Sequence, residues 1–257
     1  MTRRALPWVG LLLLAISFIW FLRMPRAMRR FEQRRDAGGA KRFGVVLDPG
    51  HGGQDSGAMC GEVMEKDLTL DVALRAEVLL RAAGFRTVLT RSDDRYLSLP
   101  ERAEVANEEK NSLFVSIHFN DGDHGAASGV ETYFATRQLT ASPGLLAWLP
   151  FLRRVDAKPL LAKSESLARF LQAALVERTQ AVDRGTKTAQ FYVIRNVRHP
   201  AALVEGGFIT NQSDMTKLTT VKYREEIARA ISEGIRRYRE VRRPDEPTLA
   251  WAPAPPE

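Results

Sequence analysis

Short apolar runs alternate with longer segments of helical periodicity between residues 43 and 240. Short apolar runs favour buried strands, and apolar positions that recur every three or four residues favour helices. The predicted strands are Val45–Leu47, Arg86–Thr90, Leu113–Phe119, Val130–Phe134, Phe191–Ile194 and Ala202–Val204, and the predicted helices are Lys66–Ala83, 99–109, Ser164–Arg178 and Val221–Tyr238. Strands that alternate with helices predict an α/β fold with a mostly parallel sheet and helices on both faces.

The first part of the chain contains an uncharged apolar run from Ala5 to Leu22, with Trp8 and Trp20 near its two ends. A bilayer core requires about 20 such residues, and tryptophan favours the membrane interfaces. A cleaved signal peptide has a shorter apolar core and a small-residue cleavage site, whereas residues 23–26 here include two arginines and a proline. We therefore predict an N-terminal transmembrane helix within residues 1–22, with a cleaved signal peptide as the alternative.

Positive charge is concentrated around this apolar run. Residues 1–42 hold ten Arg or Lys and two acids, a local charge of +8, so the chain's +7 leaves −1 for residues 43–257. A nearly neutral domain argues against nucleic acid as a partner. The positive-inside rule alone would keep the domain in the cytoplasm, but long domains translocate with little regard to flanking charge, so the membrane topology stays open.

Three further segments complete the predicted organisation. Residues 23–42 are a basic juxtamembrane linker that anionic lipid would attract, and residues 43–240 are the folded domain. Residues 241–257 are rich in proline and are predicted to be a disordered tail.

Cys60 is the only cysteine, which excludes an intramolecular disulfide and a cysteine-based metal site.

Two of the four histidines lie where predicted strands end. His51 follows the first strand and His118 ends the third, while Glu65 lies just before the first helix and Glu205 ends the last strand. If these strands are parallel neighbours, the four side chains reach one edge of the sheet. Two imidazoles and one carboxylate are a common ligand set for catalytic zinc, and the remaining carboxylate can act as a general base on water.

Each of these residues also has a structural interpretation. A single histidine at a strand end is more often hydrogen-bonded than metal-bound, and Glu65 suits the acidic first turn of a helix. Glu205 is harder to explain in this way, because a carboxylate within the apolar residues 201–208 would be buried and would need a partner. His124, in a polar loop, and His199, before a proline, are not expected to take part.

Seven motifs occur in order: Leu47–Gly53, Glu65–Asp67, Leu89–Arg91, Ser116–Asn120, Gly129–Tyr133, Arg184-Gly185 with Phe191–Ile194, and Leu203–Asn211. Together, and over about Phe43 to Tyr238, they resemble the zinc-dependent N-acetylmuramoyl-L-alanine amidases of the Amidase_3 family. The resemblance implies a single α/β domain whose twisted sheet is flanked by helices.

This resemblance also implies the chemistry. One zinc ion (Zn²⁺) would be held by His51, Glu65 and His118. Glu205 would be the catalytic acid/base, and Asn120 would line the cleft. The substrate would be peptidoglycan, hydrolysed at the amide that joins N-acetylmuramic acid to L-alanine.

A peptidoglycan substrate implies that the domain faces the periplasm or cell wall, held at the cell membrane by residues 5–22 or secreted if a signal peptide is removed. Some relatives carry an autoinhibitory helix after the strand 130–134. Here residues 141–160 are apolar, interrupted by prolines and free of glutamate. A packed or membrane-touching loop is therefore preferred to a regulatory plug. The sequence does not identify a protein activator.

Three other functions remain as alternatives. A catalytically degenerate member would bind peptidoglycan or regulate without hydrolysis, although all four site residues are present. A phosphate-binding protein built on Gly50–Gly53 would need the Gly-Lys-Ser/Thr ending of a P-loop, which does not follow. A zinc amidase acting on a different amide is the third, because the shape of the groove decides specificity.

Overall fold

The computed structural model describes residues 43–122, 125–138 and 158–242. Within these ranges the strands are β1 Gly44–Pro49, β2 Met59–Cys60, β3 Val63–Met64, β4 Arg86–Leu89, β5 Ser112–Asn120, β6 Val130–Phe134, β7 Asp183–Thr188 and β8 Ala201–Phe208. The helices are α1 Glu65–Ala82, α2 Leu99–Glu108, α3 Lys158–Thr179, α4 Tyr192–Arg195, α5 Gln212–Leu218 and α6 Val221–Val241.

Six strands form one sheet in the order β4-β1-β5-β8-β6-β7, and β2 pairs with β3 separately. Strands β4, β1, β5 and β8 are parallel to one another. Strand β6 is antiparallel to β8 and parallel to β7, so the last two strands run in the opposite direction. The mostly parallel sheet is therefore confirmed. The carboxyl ends of β1, β5 and β8 lie side by side at one edge.

Helices cover both faces of this sheet, as predicted. Successive residues of a strand point to opposite faces, and Val45 and Leu47 of β1 pack in a core with helices α1, α3 and α6. Val46 packs in a second core with α2 and α4. Strands β1 and β8 are buried over their whole length between these layers, which explains why they appear in the sequence as apolar runs.

Three of the four predicted helices begin within one residue of the predicted position, whereas α3 begins at Lys158, six residues before the predicted Ser164. Helix α1 starts at Glu65, one residue before the predicted start, and this places the Glu65 side chain next to the end of β5. Helix α2 starts with the capping box expected from the sequence: Ser98 Oγ accepts from the Glu101 backbone, and the Glu101 carboxylate accepts from the Ser98 backbone over 2.8 Å.

Several elements differ from the prediction, including helix α5 and the short strands β2 and β3, which are not predicted. The predicted strand Phe191–Ile194 is wrong, because residues Tyr192–Arg195 form the one-turn helix α4; a short apolar run suits a helical turn as well as a strand. Strand β7 is not predicted, since Asp183–Thr188 is polar throughout and has no apolar alternation.

Several predicted features lie outside the described residues. They are the membrane helix and basic linker within residues 1–42, most of the 141–160 segment, His124, and most of the tail 241–257. No helix in the described ranges is both long enough and apolar enough to span a membrane.

Candidate metal centre

The turn after β1 presents His51 with its backbone in the left-handed region, at φ 59°. This conformation is uncommon for residues other than glycine. Neighbouring glycines leave room for the site: a Cβ on Gly50 would lie 2.2 Å from the His118 ring, and one on Gly57 would lie 2.5 Å from Glu65 Oε2. Glycine at these two positions therefore lets the three side chains converge.

Two buried arginines hold this turn in place. Arg91 donates from Nε to the Pro49 carbonyl oxygen over 3.0 Å. Arg102 of α2 donates to the carbonyl oxygens of Pro49 and His51, both over 2.6 Å. Arg102 also pairs with the buried Asp48 carboxylate at 2.9 Å. Charged donors thus satisfy buried carbonyl groups of the turn, and they fix the backbone that carries His51.

The Glu65 carboxylate lies between the two imidazoles. Oε2 is 3.1 Å from His51 Nε2, and Oε1 is 2.9 Å from His118 Nδ1. The backbone N–H groups of Ala58 and Phe119 donate to the same carboxylate over 2.9 and 3.1 Å. Burial opposes ionisation, but the hydrogen bonds with His118 and His51 lower the pKa of Glu65 far below its usual range. The group is therefore an anion.

His118 completes the cluster from β5, two residues before the end of that strand. One ligand atom from each of His51, Glu65 and His118 lies within 4.8 Å of the others. Burial lowers the pKa of His51, but Glu65 and then Asp55 outweigh this effect and raise it. Two imidazole nitrogens around one anionic carboxylate are a donor set that Zn²⁺ favours, so these residues fit the predicted ion.

Glu205 lies beside this cluster on the neighbouring strand. His118 of β5 pairs in register with Glu205 of β8, which in turn pairs with Glu131 of β6. Paired residues on adjacent strands point to the same face, so the three side chains form a row across the sheet. Glu205 is buried, and its Oε2 makes no hydrogen bond within the described part of the chain. Burial, followed by the charges of Glu65 and Glu131, raises the pKa of Glu205 well above its usual value.

A polar cluster that the sequence analysis did not assign continues the row at Glu131. Its Oε1 accepts from Asn120 Nδ2 and from Tyr133 OH, both over 2.6 Å. Its Oε2 accepts from Arg184 Nε over 2.7 Å and from Lys187 Nζ over 2.5 Å. Burial opposes ionisation, but these bonds, led by the one from Lys187, lower the pKa of Glu131 to about 2. The feature of the sequence that could have indicated this cluster is Glu131 itself, an acidic residue within a strand that is predicted to be buried.

Asn120, predicted to line the cleft, thus lies in the Glu131 cluster, with its side-chain amide turned towards that carboxylate. The cluster of His51, Glu65 and His118, the buried carboxyl of Glu205 and the Glu131 cluster all lie at the carboxyl end of the parallel strands. Such a combination in an open α/β sheet defines a candidate hydrolase site.

Comparison with known proteins also identifies the chain as a hydrolase. Residues 45–237 match the family model Amidase_3, described as N-acetylmuramoyl-L-alanine amidase. The chain belongs to this family, and its enzyme class is that of the N-acetylmuramoyl-L-alanine amidases. The family predicted from the sequence motifs is therefore confirmed.

Individual relatives share the domain at moderate identity. The N-acetylmuramoyl-L-alanine amidase LytC of Bacillus subtilis is 39% identical over 190 residues, which are 74% of this chain and 34% of LytC, so the chain matches about a third of that protein. The solved N-acetylmuramoyl-L-alanine amidase from Clostridium difficile 630 is 31% identical with a TM-score of 0.67, over 79% of this chain and 100% of that chain. The CwlD amidase from Clostridioides difficile, solved in complex with the GerS lipoprotein, is 26% identical with a TM-score of 0.65, over 78% of this chain and 100% of that chain.

Proposed function

We propose that this chain is a zinc-dependent hydrolase that cleaves the amide between N-acetylmuramic acid and L-alanine in peptidoglycan. The observation that carries the proposal is the row formed by the ligand cluster of His51, Glu65 and His118 and by the unpaired carboxyl group of Glu205. The names of LytC and of the Clostridium difficile 630 relative support the substrate and the bond.

Each residue of the row has a separate role. His51, Glu65 and His118 would hold one zinc ion, which, when bound, lowers the pKa of a water molecule to about 7 and polarises a carbonyl group. Asp55 Oδ2 lies 2.9 Å from His51 Nδ1, and Nε2 of the same ring faces Glu65 at 3.1 Å, so Asp55 is placed to pair with the ring nitrogen that Glu65 does not contact.

Glu205 takes the proton of the attacking water and passes it to the nitrogen of the leaving amine. Glu205 Oε2 makes no hydrogen bond within the described residues, so it can accept a proton without breaking an existing contact there. A carboxyl group whose pKa is raised above its ordinary value accepts a proton from water more readily and can then return it to a leaving group. Burial supplies that shift, and the acidic neighbours of Glu205 add to it.

The proposal is tested by incubating the purified full-length chain with peptidoglycan, with and without a zinc chelator. Mass spectrometry is expected to detect stem peptides with a free N-terminal alanine only while zinc is present, and again after zinc is restored. Cleavage that the chelator leaves unchanged would overturn the zinc dependence. Products cut at a different bond would overturn the assigned substrate bond.

The same proposal includes a location and a partner. The uncharged run at residues 5–22 supports an anchor in the cell membrane, with the domain facing the periplasm or cell wall. The complex of the CwlD relative with the GerS lipoprotein supports a protein activator as a further partner. Protease added to cells stripped of their wall is expected to digest the domain, and protection of the domain would overturn this orientation.

A further inference from the structure

The Glu131 cluster holds two cations on one buried anion. Arg184 and Lys187 both come from the edge strand β7, and each donates to Glu131 Oε2. Asn120 and Tyr133, the other two donors, are neutral side chains. The cluster therefore has a net charge of +1, one strand away from Glu205.

Both cations keep donors available for a ligand. Arg184 uses Nε for Glu131 and packs over the Phe208 ring at 4.9 Å, so its two Nη groups make no hydrogen bond within the described residues. Lys187 uses one of its three N–H groups. The side chains of Arg184 and Lys187 are 32% and 38% exposed, whereas that of Glu131 is only 3% exposed. A ligand in the cleft can thus reach the cations but not the anion that holds them.

The positive charge of the cluster can attract only the part of the substrate that carries negative charge, and this part lies on one side of the scissile amide. N-acetylated sugars are uncharged, and the lactyl carboxyl group is consumed in the amide itself. The negative charges of the substrate are therefore on the stem peptide. Adjacent strands lie about 4.8 Å apart, and two extended residues span about 7 Å. A peptide whose first amide nitrogen lies at Glu205 can therefore bring its second residue to Arg184 and Lys187.

We infer that Arg184 and Lys187 form a binding site for the free carboxylate of the acidic residue that follows L-alanine in the stem peptide. This inference rests on the proposed amidase function. The Nη groups of Arg184 match a carboxylate in a bidentate arrangement, and Lys187 adds a second positive charge. Glu131 is a positioning residue, because its carboxylate fixes both cations without reaching the ligand.

The test compares two soluble muropeptides that differ in one group. In the first this carboxylate is free, and in the second it is a carboxamide. The full-length wild-type chain is expected to cleave the first with a kcat/KM about tenfold higher, mainly through a lower KM, since charge-assisted hydrogen bonds are about twice as strong as neutral ones. Arg184→Gln is expected to reduce this ratio to near one, and Lys187→Met to an intermediate value. Lys217→Met removes a lysine that packs over Tyr223 at 6.0 Å and serves as the matched control with a wild-type ratio.

Three outcomes would overturn the inference. An Arg184→Gln variant that loses activity equally on both muropeptides would show a structural role instead of carboxylate recognition. A wild-type kcat/KM ratio near one, with both muropeptides cut at the L-alanine bond, would show that Arg184 and Lys187 do not recognise the carboxylate. The proposed amidase function would be unaffected by that result. Failure of the zinc-loaded wild-type chain to cleave either muropeptide would overturn the proposed function and this inference with it. The wild-type ratio needs no variant, so the test does not depend on how the variants fold.

Discussion

Two glutamates in this site differ in pKa because their surroundings differ. Glu65 receives two backbone N–H groups and faces two imidazoles, so it stays ionised. Glu205 is buried with Oε2 unpaired among the described residues, and its pKa is raised. Paired carboxyl groups with separated pKa values divide roles in this way in other hydrolases. Glu65 is suited to bind a cation, and Glu205 is suited to transfer a proton.

Replacing Glu205 by Gln is expected to keep the metal and to lower turnover by about 10²- to 10⁴-fold, the usual contribution of a general acid–base group. His51→Ala and His118→Ala are expected to lose the metal as well as turnover. Metal content is measured by atomic emission, and turnover by the release of N-terminal alanine. Glu62→Gln, at an exposed position, is the matched control. Near-native turnover of the Glu205 variant would show that another group transfers the proton.

At the scale of the elements, α2 supports the site through Arg102. This helix packs on the face of the sheet opposite to α1, and Arg102 donates from there to the turn after β1. Arg102→Met would remove the cationic partner of the buried Asp48 carboxylate. Removing one member of a buried pair costs about 3–5 kcal/mol, because the remaining charge is left uncompensated. The free energy of unfolding, measured in urea, is expected to fall by about that amount.

The double variant Asp48→Asn with Arg102→Met separates charge from packing. It removes the uncompensated carboxylate and is expected to recover part of the lost free energy of unfolding. The recovery is incomplete, because the carbonyl oxygens of Pro49 and His51 still lack their donor. Equal stability of the single and double variants would show that the buried charge is not the source of the loss.

The elements also show what the sequence could predict. His51, His118 and Glu205 follow or interrupt apolar runs, so their positions at strand ends are predictable from strand patterns, and their convergence at one sheet edge follows if those strands are parallel neighbours. The Glu131 cluster is not, because two of its donors come from β7, whose polar sequence contains no strand signal. Its assembly depends on β7 pairing with β6, a long-range contact that local sequence patterns do not contain.

At the scale of the whole molecule, helices α1 and α6 join distant parts of the chain on one face of the sheet. Asp71 of α1 links them: its Oδ2 lies 3.0 Å from Arg75 Nε and 2.5 Å from Arg224 Nε. Burial raises the pKa of Asp71, but the hydrogen bonds from Arg75 and Arg224 outweigh it and lower the pKa below 3.8. Because the folded-state pKa is depressed, the stabilisation is fully present above the unfolded pKa and is lost as pH falls through the folded-state pKa.

Asp71→Asn is therefore expected to lower the free energy of unfolding at pH 6 and to have a smaller effect near pH 3, because the stabilisation begins to be lost once the pH is below the unfolded-state pKa of about 3.9. The measurement is urea denaturation of both proteins at the two pH values. Arg224→Met provides the matched control: in its background, Asp71→Asn should cost less at pH 6, because one of the two partners is already absent. A difference between wild type and Asp71→Asn that is the same at both pH values would mean that the Asp71 charge does not stabilise the contact between α1 and α6.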